Sequence, residues 1–585
     1  MKPIIKKALM FILLSALIYP QNHLAQTTGL PEDVEKTIRD RVEYGNYVGV
    51  VIGMIDAEGP RYCGFGRMSL KSDQIPDENS VLEIGSITKV FTSILLADMV
   101  EHNKLRLEDP IEKFLPESVR VPKRNDQSIT LFHLATHTSG LPHMPDNFNP
   151  ADPSNPYADY SVEQMVEFLS NHTLRRDIGE QYEYSNYGTG LLGHILSLVD
   201  GMTYEDLLIR RIADVLDLAD TRITLTPEMK NRLAKGHSSG GEVANWDLST
   251  FAGAGAIRST TRDMVRFLSA NMGLTESPLY SAMKKTHEPR LETGSSKMHV
   301  GLGWHIRTGD ASEIIWHNGG TGGYRSFAGF DPKEKRGVVV LANSTTSVDD
   351  IGFHLLDPTV PLQKLRRSIA VTLRQIIEEK GVEAAVTQYH ELKQNQPSEY
   401  NFVESELNTL GYQYLEQGHA ETAIAVFKLN AEAYPDAYNV YDSLGEAYMK
   451  QGDTALAIAN YKKSLDLNPG NENAKQQLSK LGTDMTALLP EVSVPLEVLK
   501  SYVGKYTLAP GFFIIISTED NRLMAQATGQ PKFEIFPRSE TTFYYKVVDA
   551  QITFNKNETG TVTGLTLRQG GREIPAVKTE QEKTP

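Results

Sequence analysis

Between residues 404 and 471 the chain repeats itself at a fixed step of 34: Leu410 with Leu444, Gly411 with Gly445, Tyr414 with Tyr448, Gly418 with Gly452, Ala423 with Ala457, Phe427 with Tyr461, Pro435 with Pro469. A period of this length confines the stretch to copies of one supersecondary unit, each burying its apolar face by stacking on the next. A degenerate earlier copy is expected near 366–399, where Ala385, Tyr389 and Pro397 keep the same internal spacing, and a closing helix at 472–482. Two and a half repeats with that helix can just bury a stacked core.

The chain changes its grammar on both sides of this stretch. From 27 to 356, short β-type runs such as "VGVVIGMID" and "GVVVLAN" alternate with helical spacing at 161–172 and 260–272, which predicts an α/β layer structure with one principal sheet. A proline-rich segment, "PHMPDNFNPADPSNP" at 142–156, is a long loop inside it, and such loops are often functional. From 494 to 580, "GKYTL", "FFIIIST", "RLMAQAT", "TFYYKVV", "QITFNKN" and "TVTGLTLRQ" alternate between turn residues, as in a small antiparallel barrel or sandwich. The domain reading is therefore 27–356 α/β, 361–482 helical repeats and 494–580 all-β. The 34-residue units resemble tetratricopeptide repeats, in which small residues let two antiparallel helices approach and the proline ends the second.

At 585 residues the chain is too long for one core. Its formal charge of −15 excludes a nucleic-acid partner, because phosphate binding draws on clustered Lys and Arg. Residues 1–25 read as a secretory signal: Lys2, Lys6 and Lys7, an apolar stretch from Ala8 to Tyr19, and a cut after Ala25. Cleavage would remove those three lysines and take −15 to −18. The stretch is too short to span a bilayer, although His23 stands where a small residue is expected, which keeps an uncleaved interfacial anchor as the alternative. Cys63 is the single cysteine, so no intrachain disulfide can form. The expected location is the periplasm or outside the cell, with no membrane span in the mature chain.

Chemistry begins at "LEIGSITKVFTSILLADMV". Ser86 and Lys89 head an otherwise apolar run. An N-cap role would explain the serine and leave the lysine unexplained. Positions i and i+3 share a helix face, so the amine reaches the hydroxyl. The positive end of the helix dipole and burial against Ile87, Val90 and Phe91 both lower a lysine pKa, and a lysine so treated accepts a proton. Gly85 suits a tight strand-to-helix turn, and amides at the helix start can stabilise an oxyanion. Two further stretches join it. "YSN" at Tyr184, Ser185 and Asn186 puts a phenol and a carboxamide beside one turn. "WHNGGTGGYRSFAGFDPKEKRGVVVLAN" from Trp316 sets His317, Gly319 and Gly320 ahead of a strand with little side chain to block a substrate along its edge.

In this order and spacing the set resembles the class C β-lactamase and penicillin-binding-protein-like serine hydrolases, with their S-x-x-K, Y-x-N and K-T-G motifs. The likeness spans roughly residues 35–350 and includes "LATHTSGLP" at 134–142 and "YEYSNYGTGLLG" at 182–193. It implies a β-lactamase/transpeptidase-like domain, an antiparallel sheet with flanking helices plus a helical region, and the last segment looks like the lipocalin-like appendage found behind such hydrolases. By resemblance Ser86 is the acylated nucleophile, Lys89 its base or proton relay, and Tyr184 a second base serving the leaving group. Asn186 would orient the lysine and hold a substrate amide, and the amides of Ser86 and Gly320 would form the oxyanion hole. No cofactor and no metal are implied.

The third motif departs from the pattern, carrying His317 where many β-lactamases keep lysine. An imidazole with a pKa near 6.5 is only about a quarter protonated at pH 7. Relatives with H-x-G there include esterases and D-amino-acid peptidases, so His317 is expected to hydrogen-bond more than attract charge, with Arg325 as substitute cation. "GHSSG" around Ser238 matches a nucleophile elbow in letters but lacks the strand before and helix after it. His133 and His137, at i and i+4, lack the glutamate of a zinc-peptidase motif and read as a structural pair near the site. The expected function is an exported serine hydrolase acting on an amide or ester: a D-amino-acid or peptidoglycan-type peptide, a β-lactam or an ester. The alternative is a penicillin-binding sensor or scaffold that acylates or binds without turnover, its repeats holding a protein partner. The repeats also have a purely intramolecular reading, as a brace.

Overall fold

The computed structural model describes residues 29–238, 241–309, 312–483, 494–509, 512–545, 547–548, 550–557, 559–569 and 572–579. The expected signal segment lies outside them. The chain divides into two compact units between Arg367 and Ser368.

The first unit is built on one eight-stranded antiparallel sheet. Along its width the strands run Gly59–Gly66, Gly49–Asp56, Arg336–Ala342, Arg325–Asp331, Glu313–Gly320, His305–Thr308, Met298–Val300 and Leu291–Ser295. The first strand of this sheet in chain order is thus paired with its last, Val51 opposite Leu341 and Ile52 opposite Val340. Two-residue periodicity sorts the side chains into two cores. Val50, Ile52, Val338 and Val340 face the helices Glu32–Glu43 and Asp349–Leu356. Ile55, Val339 and Leu341 face the larger core with the helices Thr88–Glu101 and Thr261–Asn271. The sheet is covered on both faces, which is why these strands read as unbroken apolar runs.

Thr88–Glu101 is the innermost helix: every side chain from Thr88 to Met99 is buried. A helix apolar all round has no solvent face to present, so its N-terminus, where Ser86 stands, is fixed from all sides.

In the second unit the repeat region forms three complete helical hairpins, one more helix than the sequence suggested: Ile369–Lys380 with Val382–Asn395, Glu404–Glu416 with Ala420–Ala433, and Tyr438–Gln451 with Thr454–Leu467, closed by Glu472–Lys480. A methyl on Gly411 would lie 2.4 Å from the Phe427 ring, and one on Gly445 2.9 Å from the Tyr461 ring. These two pairs explain the glycine and aromatic positions conserved at the 34-residue step. Strands from Gly504–Ala509 to Arg572–Thr579 close an eight-stranded barrel. Its interior is filled by Phe543, Ile552 and Leu565, together with Tyr502 from the helix Leu496–Tyr502, which stacks 4.0 Å from Phe554. Arg538 of the barrel donates to the Leu467 carbonyl at 2.8 Å and to that of Asp466, a cation at the C-terminal end of a helix, where the dipole favours it.

Candidate active site

Ser86 sits in one turn of 3₁₀ helix, Gly85–Ile87, that runs into Thr88–Glu101. In that tighter winding positions i and i+3 eclipse, so Lys89 Nζ comes 3.0 Å from Ser86 Oγ. The amine also donates to the Ala254 carbonyl at 2.7 Å. Lys89 is fully buried, and desolvation pushes its pKa well below the usual lysine value. Desolvation thus favours the neutral amine, the form that can take the Ser86 proton.

Tyr184 places its ring 4.7 Å from Lys89 Nζ. Burial raises its pKa, partly offset by the Ser86 hydroxyl that faces it, so it rests as a protonated phenol. The turn behind it is held by His137, whose backbone is left-handed at φ 59°, uncommon for a residue with a Cβ. Its Nδ1 accepts the Ser185 N–H at 3.1 Å, and its ring lies 4.7 Å from that of Tyr184. His133 works elsewhere, closing a capping box with Thr130. The two histidines read as a pair have separate tasks. Among the described residues no group of three or more His, Cys, Asp or Glu could hold a metal ion.

Asn186 opens the helix Asn186–Asp200. Its Nδ2 is 3.3 Å from His143 Nε2 and its carboxamide faces the Tyr157 phenol, whereas Lys89 takes its second contact from Ala254. The sequence reading had Asn186 orient the lysine; the Ala254 carbonyl does so instead.

The third segment is the strand Glu313–Gly320. His317 is 1% exposed, its Nδ1–H donating to the Asn318 carbonyl at 2.5 Å. Burial drives its pKa well below the histidine range, which lowers even the quarter protonation expected from sequence. His305, ring centroids 5.0 Å away, is pushed down to about 4 by burial and meets Tyr182 Oη at 2.9 Å. Gly319 lies against the chain before Ser86, where a side chain would run into the Ile84 carbonyl. Gly320 follows, facing Arg325 across the ladder. Arg325 donates through Nη1 to the Thr321 and Tyr324 carbonyls at 3.1 and 2.9 Å, and is half-buried with its guanidinium against Gly320. Ser326 pins the turn by donating to the Ile84 carbonyl at 2.8 Å. Burial thus pushes the Lys89 amine and the His317 and His305 imidazoles toward their neutral forms, and the Arg325 guanidinium beside Gly320 is the cation next to Ser86.

The cleft at Ser86 is walled by Tyr157, Trp246, Leu248 and Phe251. None of these was singled out in the sequence. They come from two loops about 90 residues apart, and only the proline-rich loop had left a signal. A larger hollow of about 890 Å³ near Asp146, Glu167 and His172 contains none of the Ser86 group. Ser238 lies in a two-residue strand, His237–Ser238, paired with Gly241–Glu242, so no elbow forms there.

Residues 34–355 match the family model described as beta-lactamase. Residues 438–471 match the tetratricopeptide repeat, and residues 489–582 a domain of unknown function, DUF3471. The chain is similar to the D-alanyl-D-alanine-carboxypeptidase/endopeptidase AmpH of Escherichia coli (strain K12), 28% identical over 354 residues that cover 57% of this chain and 91% of the relative. It is similar also to a beta-lactamase of the same organism, 26% identical over 346 residues, covering 53% and 88%. Among solved structures, a beta-lactamase/D-alanine carboxypeptidase from Yersinia pestis complexed with citrate matches at 25% identity and TM-score 0.48, over 54% of this chain and 92% of the other.

Proposed function

The chain belongs to the beta-lactamase family of serine hydrolases, and from that membership and the Ser86 geometry we propose that it cleaves an amide or ester through an acyl-enzyme on Ser86. Lys89 takes the Ser86 proton as Oγ attacks the carbonyl carbon. The carbonyl oxygen gains the charge and is held by the amides of Ser86 and Gly320, each such donor being worth about 2.7–4 kcal/mol. Tyr184 donates its proton to the leaving group and recovers one from the Lys89 ammonium. Water then attacks the acyl carbon, gives its proton to Lys89, and the acid departs as Ser86 regains its hydrogen. The observation that carries this reading is the fully buried Lys89 amine 3.0 Å from the serine hydroxyl, its pKa pushed well below the usual lysine value by desolvation.

The relatives' names support peptides ending in D-alanine and β-lactams as substrates; the neutral third motif supports esters and uncharged amides. The amino-terminal 25 residues support export. Purified Ser86→Ala protein should show no burst and no acyl adduct by mass spectrometry with a p-nitrophenyl ester. Turnover at the wild-type rate would remove Ser86 from the role. Tetratricopeptide repeats favour the second reading, a sensor that acylates and stalls with a partner on its repeats. Fluorescent penicillin decides between them, since a permanent label means a sensor and a transient one a hydrolase.

A further inference from the structure

The cleft beside Ser86 includes Asn186, Gly320 and Thr321 in its lining, but Lys89, Tyr184 and His317 stand outside it. A leaving group protonated by Tyr184 departs on the phenol's side, so the cleft receives the other half of the substrate, the acyl group. Its lining contains no Asp, Glu, Lys, Arg or His.

The wall is pre-formed. Tyr157 packs against Trp246 at 5.2 Å, Phe148 at 5.1 Å and Phe251 at 5.9 Å between ring centroids. The two loops that carry these rings are stapled by Asn155 and Asp247: Asn155 Nδ2 donates to the Asp247 carboxylate at 2.9 Å and the Asp247 amide to Asn155 Oδ1 at 2.8 Å. Glu83, three residues before the nucleophile and 4% exposed, accepts from the Trp246 amide at 3.1 Å and from Asn245 Nδ2 at 2.8 Å. Trp246 and Ser86 therefore hang from one short stretch of chain. A rigid aromatic wall with no counter-charge penalises a buried carboxylate or ammonium in the acyl group.

Resting on the acyl-enzyme reading above, we infer that Tyr157 and Trp246 are specificity-determining residues that select a small, uncharged, apolar acyl group, aromatic ones included. The substrate class is the ester or amide of such an acid.

The test keeps one leaving group and varies the acyl part: p-nitrophenyl acetate, butyrate, phenylacetate and 4-carboxyphenylacetate. In wild-type protein kcat/KM for phenylacetate should exceed that for acetate by about tenfold or more, and that for the 4-carboxy derivative by about a hundredfold. Trp246→Ala and Tyr157→Ala should each cut the phenylacetate-to-acetate ratio about tenfold, whereas Tyr157→Phe, which keeps the ring, should preserve it. A 4-carboxyphenylacetate turned over as well as phenylacetate by wild-type protein overturns the inference, and so does a ratio unmoved by both alanine variants. Ser86→Ala, run on the same series, separates the two ideas: loss of turnover upholds the nucleophile whatever the acyl preference, and persistent turnover removes the nucleophile itself.

Discussion

The turn before the nucleophile offers a test in which distance alone sets the outcome. Gly85 has φ +52°, and a Cβ there would stand 2.7 Å from the Gly320 nitrogen and 3.1 Å from its oxygen. Atoms of this kind rest about 3.5 Å apart, so Gly85→Ala must displace one backbone or the other by about half an ångström or more. The group displaced is one of the two proposed oxyanion donors. Losing one such donor costs about 10²–10³ in kcat. Left-handed backbone adds about 1–2 kcal/mol against alanine, less about 0.4–1 kcal/mol returned by a stiffer unfolded chain. Gly201→Ala is the control, because Gly201 has φ +67° with nothing within 4 Å of its would-be Cβ. It carries the same backbone strain without the collision. Burst and steady-state hydrolysis of a p-nitrophenyl ester, with melting curves, should show both variants less stable and only Gly85→Ala slowed by at least about a hundredfold. If Gly85→Ala keeps kcat within about threefold of Gly201→Ala while folded, either Gly320 is no oxyanion donor or the turn yields freely, and the reasoning fails.

Lys89→Met should lower kcat by about 10²–10⁴ and yet raise the melting temperature at pH 7. The lysine pKa is pushed well down in the fold, so the fold binds fewer protons than the unfolded chain and loses stability as pH falls from about 10.4 toward the folded value; a variant that melts lower than wild type would contradict this. His305 has the same sign: its pKa is pushed down to about 4, so stability is lost as pH drops from about 6.5 to about 4, on the order of 3 kcal/mol at the lower end. Urea midpoints at pH 7, 6 and 5 should fall progressively, and His305→Gln should shrink the slope; a flat series sinks the assignment. Arg538→Ala removes the guanidinium from the Leu467 and Asp466 carbonyls and should split the unfolding of repeats and barrel into two calorimetric transitions, with an unchanged profile counting against a bracing contact.

The Ser86–Lys89 pair was legible because one helical turn brings the two residues together and the apolar run around them announces burial. Tyr184 and Asn186 could be found as a second local cluster, and the helical hairpins as a step of 34. His317 was found but its charge was not: nothing local says that His305 and the sheet would strip water from it. Tyr157, Trp246 and Phe251 left no pattern, since a wall made of two loops joined by Asn155 and Asp247 has no period in the sequence. His137 was visible as a histidine, and only the fold turns its left-handed backbone toward Ser185. The first hairpin, Ile369–Asn395, was half hidden because it lacks the glycine and aromatic pairs at Gly411–Phe427 and Gly445–Tyr461.

In the sheet of the first unit, the strand Gly49–Asp56 waits beside a place that only Arg336–Ala342 can fill. A ribosome must therefore read nearly three hundred codons beyond the first strand before its partner exists. Until then the serine at residue 86 has been made but has no finished scaffold to hold it. Nascent or prematurely terminated chains ending before Ala342 should be inert.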